Sequence, residues 1–201
     1  AIASMNPVPL TIVENDPPPV GTVEFSATSY SVDENGGNAT ITVSRVGGTN
    51  HAVSVEYATS DAGATAGVDY TTATGSLSWA AGDDADKTFT VSVLDDTTYE
   101  WDEAVTLTLS NASTNSSISG SNPVTLSITE DDPNPGTVEV SAAGYSVWEN
   151  GANVTISVQR IGGSAGAISV QYATSDDTAT AGSDYTTATG TLNWGDGDAT
   201  D

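Results

Sequence analysis

The sequence has 201 residues and is poor in reactive sulfur and in positive charge. It contains no cysteine, which excludes disulfides, thiolate catalysis and zinc–thiolate sites. Lys and Arg together number 3 against 27 Asp and Glu, giving a formal net charge of −24. A chain this acidic is repelled by nucleic-acid phosphates and by anionic membrane surfaces. We therefore predict no nucleic-acid partner.

Signals of catalysis and of membrane insertion are also scarce. His51 is the single histidine, and no Ser or Asp constellation accompanies it. No Gly-rich phosphate loop follows a strand-like segment, and no apolar run approaches the roughly 20 residues that span a membrane. Paired carboxylates occur in glycosidases, but those of this sequence fit metal ligation better. We expect no enzyme and no membrane insertion.

Apolar residues alternate with Ser and Thr over much of the chain. Ile41 and Val43 alternate with hydroxyl side chains, as do Val105, Leu107 and Leu109. A period of two predicts antiparallel strands with one buried and one hydroxyl-rich face. Roughly seven such runs in about 110 residues are typical of an immunoglobulin-like sandwich. The predicted fold class is all-β, with tandem immunoglobulin-like antiparallel sandwiches.

The sequence repeats itself without gaps at an offset of 115 residues. Tyr30–Gly36 recurs as Tyr145–Gly151, and Asp69–Gly75 recurs as Asp184–Gly190. Self-similarity at a fixed period is the signature of a tandem array. The chain is therefore predicted to consist of consecutive copies of one sandwich.

The repeat boundaries divide the chain. Residues 6–17 resemble 122–133, so the N-terminal tail matches the end of a repeat. Proline-rich joints cannot continue a strand ladder, and they stiffen the connection. We expect a segment of a longer repetitive polypeptide. The predicted parts are the last strand of a preceding repeat (1–16, with the strand near 8–13), a linker (17–20), a complete repeat (21–132), a second linker (133–135) and an incomplete repeat (136–201).

One loop concentrates negative charge between two alternating runs. Residues 94–103 hold five carboxylates and no basic residue. Like charges this close repel, so the loop needs a cation or must stay open to water. Glu34 and the segment 130–132 flank predicted strands, and the ends of alternate strands converge at one end of a sandwich. Because Ca²⁺ takes 6–8 oxygen ligands, we predict a calcium site there. The alternative is a solvated acidic face.

Seven short motifs, in order, resemble those of Calx-beta domains. Together they extend over essentially the whole chain. They include Val-x-Glu-Asn-Gly, Ala-Gly-x-Asp-Tyr and Asp-Asp-x-x-Tyr-Glu-x-x-Glu. The motifs lie at residues 32–36, 43–48, 57–61, 66–70, 75–79, 95–103 and 126–132.

The resemblance implies an immunoglobulin-like sandwich that binds Ca²⁺ at one end. It gives no ligand role to Asp102, and Asp61 lies outside the implied ligand set, which makes it a neutral comparator. The incomplete repeat keeps Glu149 and Asp184 but stops before its acidic loop. The calcium-ligand roles that the resemblance carries over fall on Glu34, Asp69, Asp95, Asp96, Glu100, Glu103, Glu130, Asp131 and Asp132.

Calx-beta domains occur in sodium/calcium exchangers and, as tandem arrays, in large surface and matrix proteins. Our leading hypothesis is a structural and adhesive segment of a secreted, extracellular fibre or cell-surface protein, such as a biofilm matrix protein. Neighbouring repeats would pack head to tail in a filament stiffened by calcium ions. Near-identical repeats, few Lys residues and Ser/Thr-rich faces favour it. The alternatives are a regulatory calcium-sensing module and a carbohydrate-binding module, which needs an exposed aromatic platform.

Two other residue types have predicted structural roles. Arg45 and Arg160 precede Gly-Gly turns at equivalent positions, so we expect structural hydrogen bonds or ion pairs from them. Trp79 and Trp194 follow the inward alternation and are predicted to lie in the core. Trp101 and Trp148 lie in predicted loops, where they are either exposed or, as we expect, packed at a joint between repeats.

Overall fold

The computed structural model describes residues 21–151 and 153–200, which form two compact units. The first unit contains the strands of the complete repeat, and the second contains those of the incomplete repeat. The strand predicted near 8–13 lies outside the described residues. Within the two described ranges, no helix has the length and apolar character needed to cross a bilayer.

Nine strands form the first unit, and their inward positions follow the alternation in the sequence. In β1, for example, buried and half-buried residues alternate strictly, as the pleat of a strand requires. A short 3₁₀ turn, Glu34–Gly36, follows the second strand. The strands are β1 (Gly21–Phe25), β2 (Ser29–Asp33), β3 (Asn38–Val46), β4 (Val53–Asp61), β5 (Thr74–Trp79), β6 (Lys87–Ser92), β7 (Glu103–Ser110), β8 (Ser116–Ile118) and β9 (Val124–Thr129).

The strands build two sheets that face each other. One has the order β6-β3-β1-β8, and the other has the order β2-β9-β7-β4-β5. Most neighbours are antiparallel, but β1 pairs with β8 and β2 pairs with β9 in parallel. Parallel partners need a long crossover, and the strands between them in sequence supply it. The predicted all-β sandwich is confirmed, with these two parallel pairs as a refinement.

The core fills the space between the sheets. Ile41 and Val43 contribute from one sheet, and Val105 and Leu107 contribute from the other, all fully buried. Trp79 is also buried, and its indole Nε1–H donates to the carbonyl oxygen of Ala85 at 2.7 Å. A buried tryptophan contributes much apolar area but needs a partner for its N–H. The predicted core position of Trp79 is confirmed.

Arg45 ties two turns together at the end of the sandwich where β3 ends and β4 begins. The residue is only 6% exposed. It donates to the carbonyl oxygens of Gly48 (2.9 Å), His51 (2.7 Å), Ala80 (3.2 Å) and Asp83 (3.0 Å). The planar fork of an arginine can serve several acceptors at once. The predicted structural role of Arg45 is therefore confirmed.

The second unit repeats the same local structures. Two antiparallel hairpins pair β10 (Thr137–Val140) with β11 (Val158–Ile161), and β12 (Ile168–Ala173) with β13 (Thr189–Trp194). Arg160 is 3% exposed and donates to five backbone carbonyl oxygens. The Trp194 indole donates to Thr200 as Trp79 does to Ala85. The structural role predicted for Arg160 is confirmed, and Trp194 is buried, with 5% of its surface exposed.

The apolar faces of the second unit are open to solvent. Val140 and Ile156 are 53% and 48% exposed, whereas their counterparts Phe25 and Ile41 are buried. Among the described residues of this unit, the two hairpins and the arginine-centred turns still form.

We predict that Arg45→Lys destabilises the first unit by about 2 kcal/mol, because a lysine cannot serve four partly buried carbonyl groups at once. Unfolding in urea, followed by tryptophan fluorescence, measures the change. Lys87→Met is the control, since it removes only the surface ion pair with Asp83 (2.9 Å) and should cost much less. Equal losses for the two variants would contradict a special role for Arg45.

Candidate metal site

Three carboxylates of the first unit lie at the end of the sandwich opposite to Arg45. β2, β4 and β9 run in the same direction within their sheet, so their C-terminal ends lie together. Glu34 occupies the 3₁₀ turn after β2, Asp69 lies in the loop after β4, and Glu103 begins β7. The sandwich topology thus places these three carboxylates at one end.

Backbone hydrogen bonds join the loops at this end. The Val93 amide donates to the Gly37 carbonyl at 2.9 Å, next to the turn that carries Glu34. The Leu94 amide donates to the Asp69 carbonyl at 2.9 Å, one residue before Asp95. These hydrogen bonds connect the loops and fix the backbone from which the carboxylate side chains extend.

Two of these carboxylates are buried. Glu34 and Asp69 are 6% and 8% exposed, and a buried charge is costly unless it is paired or hydrogen-bonded. Asp69 Oδ2 accepts the backbone N–H of Thr65 at 2.6 Å. This hydrogen bond gives the buried Asp69 carboxylate a backbone partner.

Glu130 connects the acidic loop with the segment that follows β9. Its Oε2 accepts the backbone N–H of Glu100 at 2.6 Å, and its Oε1 accepts the backbone N–H of Asp132 at 2.7 Å. Both oxygens of one carboxylate are thus fixed by backbone donors. This arrangement orders the backbone on which Glu100 and Asp132 lie.

Six of the nine predicted ligands lie in two groups of three. Within each group, one carboxylate oxygen of every member lies within 4.8 Å of the others. Oxygen-only donor sets of this kind suit hard divalent cations. The groups are Glu34, Glu130 and Asp132, and Asp69, Glu100 and Glu103.

The other three predicted ligands, Asp95, Asp96 and Asp131, do not belong to either group of described residues. Asp96 is exposed, and its Oδ1 accepts the backbone N–H of Thr98 at 2.6 Å. This hydrogen bond holds the pKa of Asp96 below its ordinary value. The nine-residue ligand set as a whole stays a prediction, because closeness of carboxylates does not establish coordination.

The basic side chains of the chain are engaged elsewhere. Arg45 binds carbonyl groups at the opposite end of the first unit. Lys87 pairs with Asp83, and this contact lowers the pKa of Asp83. Arg160 binds carbonyl groups within the second unit. A divalent cation from solution is therefore a fitting counter-charge for the two carboxylate groups.

In the second unit, Glu149 and Asp184 line an open cleft of about 770 Å³. Asp177, Thr174 and Tyr185 also line it. Among residues 136–151 and 153–200, no three carboxylates approach one another as closely as those of the two groups. In the complete repeat, the acidic loop contributes Glu100 and Glu103 to one of these groups.

Trp101 and Asp61 have structural features that the sequence analysis did not predict. Trp101 is exposed, its φ of 74° lies in the left-handed region, and its ring meets Tyr99 edge to face. Asp61 accepts hydrogen bonds from Tyr70 and Ala66, so its replacement by alanine would remove contacts as well as a charge. Burial, together with the bond to Asp61, raises the pKa of Tyr70 to about 12. The recurrence of Asp61 and Tyr70 at the 115-residue offset was the signal available in the sequence.

Sequence comparisons relate the chain to sodium/calcium exchangers. The family model of the Calx-beta domain matches residues 16–132 and 130–201. The chain is 33% identical over 168 residues to sodium/calcium exchanger Calx of Drosophila melanogaster, covering 84% of this chain and 18% of that protein. It is 31% identical over 196 residues to sodium/calcium exchanger 1 of Rattus norvegicus, covering 89% and 20%. The chain spans about a fifth of the length of these relatives.

Solved structures of related domains share the fold. CBD12 from CALX1.2 aligns with a TM-score of 0.55 at 31% identity, covering 89% of this chain and 73% of that structure. The calcium binding domain CBD12 of CALX1.1 gives a TM-score of 0.54 at 30% identity, covering 88% and 71%. The apo-form Calx CBD1 domain gives 0.54 at 33% identity, covering 57% and 100%.

We predict that Glu34→Gln changes the melting temperature in opposite directions with and without metal. Without divalent cations, the substitution relieves repulsion of about 1 kcal/mol and should raise the melting temperature by about 4 °C. With a saturating cation, the substitution removes the charge of a ligand and should lower the melting temperature. Thermal melts in chelator and in excess metal measure both.

The control for this prediction is Asp84→Asn, which removes the same charge from an exposed turn at the opposite end of the unit. It should shift both melts slightly and in the same direction. If Glu34→Gln behaves like this control, the carboxylates do not form a coupled site.

Proposed function

We propose that this chain, which belongs to the Calx-beta domain family, binds Ca²⁺ at the acidic end of its complete repeat and acts as a regulatory calcium-sensing module. The observation that carries the proposal is the presence of two carboxylate groups. Within each group, one oxygen of every member lies within 4.8 Å of the others. The names of the relatives, which include a calcium binding domain and sodium/calcium exchangers, support the same ion.

The donor set fits Ca²⁺ better than other common divalent ions. Zn²⁺ favours His and Cys ligands, and each member of the two groups is a carboxylate. Mg²⁺ demands near-ideal octahedral geometry and keeps several waters, whereas Ca²⁺ accepts many carboxylate oxygens in flexible geometry. Ligands that come from separate loops, as here, suit Ca²⁺, because it accepts a flexible coordination geometry.

A regulatory role is better supported than our leading hypothesis of an adhesive fibre. The named relatives are ion exchangers, and none of their names refers to adhesion or to a fibre. Glu130 and Asp132 immediately precede Pro133, where the linker begins. An ion held by these two carboxylates would therefore restrain the backbone that enters the linker, and calcium occupancy would be transmitted along the chain.

The remaining hypotheses gain less from the structure. A carbohydrate-binding module needs a flat aromatic platform, but the rings of Tyr99 and Trp101 meet at 67°. The extracellular location and the head-to-tail filament stay predictions. The proposal assigns no catalytic step to any residue.

We predict that Ca²⁺ stabilises the chain. A ligand that binds only the folded state at 100 times its dissociation constant adds about 2.7 kcal/mol to the free energy of unfolding. Calorimetric titration and thermal melts, with and without chelator, measure affinity and stabilisation. Mg²⁺ at the same concentration serves as the control. An unchanged melting temperature on adding Ca²⁺ to chelator-treated protein would contradict the proposal.

We further predict that Glu103→Gln and Glu130→Gln, one from each carboxylate group, each raise the dissociation constant for Ca²⁺ at least tenfold, or about 1.4 kcal/mol. Ligand charge is a main determinant of calcium affinity. Calorimetry on both variants and on Asp84→Asn, which removes an equal charge elsewhere, provides the measurement. The same small loss in all three variants would indicate a diffuse acidic surface.

A further inference from the structure

We propose that Asp61 is a positioning residue for the calcium site, acting through the loop 61–70 and not as a ligand. The inference rests on the proposed function, because it concerns how Asp69 is presented to the ion. Asp61 ends β4, Asp69 lies near the end of the loop, and Tyr70 follows it directly. Hydrogen bonds hold this loop closed and also connect it to the neighbouring strand at Ala104.

The Asp61 side chain closes the loop from within. Its Oδ1 accepts the hydroxyl of Tyr70 at 2.8 Å and the backbone N–H of Ala66 at 3.0 Å. Tyr70 is fully buried, so this contact attaches the open part of the loop to the core. Asp69 lies between the two anchored residues, and its Oδ2 accepts the Thr65 N–H at 2.6 Å. The position of the Asp69 carboxylate is thus determined by the closed loop.

The loop also braces the neighbouring acidic segments. The Ala64 amide donates to the Ala104 carbonyl at 3.1 Å, one residue after Glu103. Gly63 makes this approach possible: its φ is +128°, and a Cβ there would lie 3.3 Å from the Ala104 nitrogen. On the other side, Tyr70 bridges to Val93, beside the strand end that leads to Asp95. A displaced loop would therefore disturb more than one ligand.

The second unit contains the same network in a more exposed setting. Asp176 Oδ1 accepts the Tyr185 hydroxyl at 2.6 Å and the Ala181 N–H at 2.8 Å, and Asp184 Oδ2 accepts the Thr180 N–H at 2.8 Å. This copy forms although Asp176 and Asp184 are exposed. The same hydrogen-bond network therefore recurs in a loop that is open to solvent.

Conservative replacements separate positioning from charge. An asparagine at position 61 keeps the Oδ1 acceptor and loses the charge, whereas an alanine loses both. Tyr70→Phe keeps the charge of Asp61 and removes one of its two hydrogen-bond donors. A positioning role depends on the acceptor, a ligand or charge role depends on the carboxylate, and a purely structural role affects stability alone.

The test is calorimetric titration of Ca²⁺ into the whole chain and its variants, with chelator-treated thermal melts alongside. We expect Asp61→Ala to raise the dissociation constant for Ca²⁺ about tenfold. A tenfold change corresponds to about 1.4 kcal/mol, which is the net contribution of one well-placed hydrogen bond. Asp61→Asn should stay within about threefold of the wild type. Tyr70→Phe should fall between them, and Asp84→Ala serves as the control for charge.

Four results would overturn the inference. An Asp61→Asn loss equal to that of Asp61→Ala would make Asp61 a ligand or a charge. Melting temperatures lowered in Asp61→Ala and Tyr70→Phe at unchanged calcium affinity would leave only a structural role. If Asp61→Ala does not fold, wild-type affinity in Tyr70→Phe decides against positioning. Failure of the wild type itself to bind Ca²⁺ overturns the proposed function and this inference together, which distinguishes it from the other results.

Discussion

Repulsion between carboxylates is the constraint on which the acidic end of the complete repeat depends. Within each of the two groups, the three carboxylates have oxygens within 4.8 Å of one another. Flexible loops could not hold like charges this close, because the charged side chains would move apart. The structure opposes this repulsion with backbone amides: Asp69 and Glu130 both accept N–H donors at 2.6 Å. On the proposed function, a bound cation would offset the remaining repulsion, and a difference of this kind between the empty and the occupied site is what a calcium sensor requires.

The two ends of the sandwich bind opposite kinds of backbone group. At one end, the buried guanidinium of Arg45 collects backbone carbonyls and fixes two turns without any ion. At the other end, carboxylates collect backbone amides and remain able to receive a divalent cation. Fixed packing between the sheets, with Ile41 and Leu107 fully buried, joins the two. The acidic loops are the part in which we propose that the ion acts.

Much of the fold could be predicted from the sequence because it depends on local alternation. The runs around Ile41 and Leu107, the inward Trp79 and the turn-forming Arg45 each carry a recognisable pattern. β8 could not be predicted, since Ser116–Ile118 shows no alternation, nor could the parallel pairs, which depend on long connections. The grouping of the six carboxylates needed three-dimensional information, although the family resemblance had already marked these residues as candidate ligands. The contacts of Asp61 with Tyr70 and Ala66 could not be predicted, because acceptor contacts leave no mark on charge or hydropathy.

The most direct test of the central claim is to map where Ca²⁺ acts, by two-dimensional NMR of backbone amides during a calcium titration of chelator-treated protein. The account predicts saturable shifts that are largest at Glu34, in 61–70, in 95–103 and at 130–132. The turn 80–86, which is also acidic and lies at the opposite end, should change little. Shifts spread evenly over both acidic ends, growing without saturation, would show a diffuse ion atmosphere and contradict the claim of a calcium site.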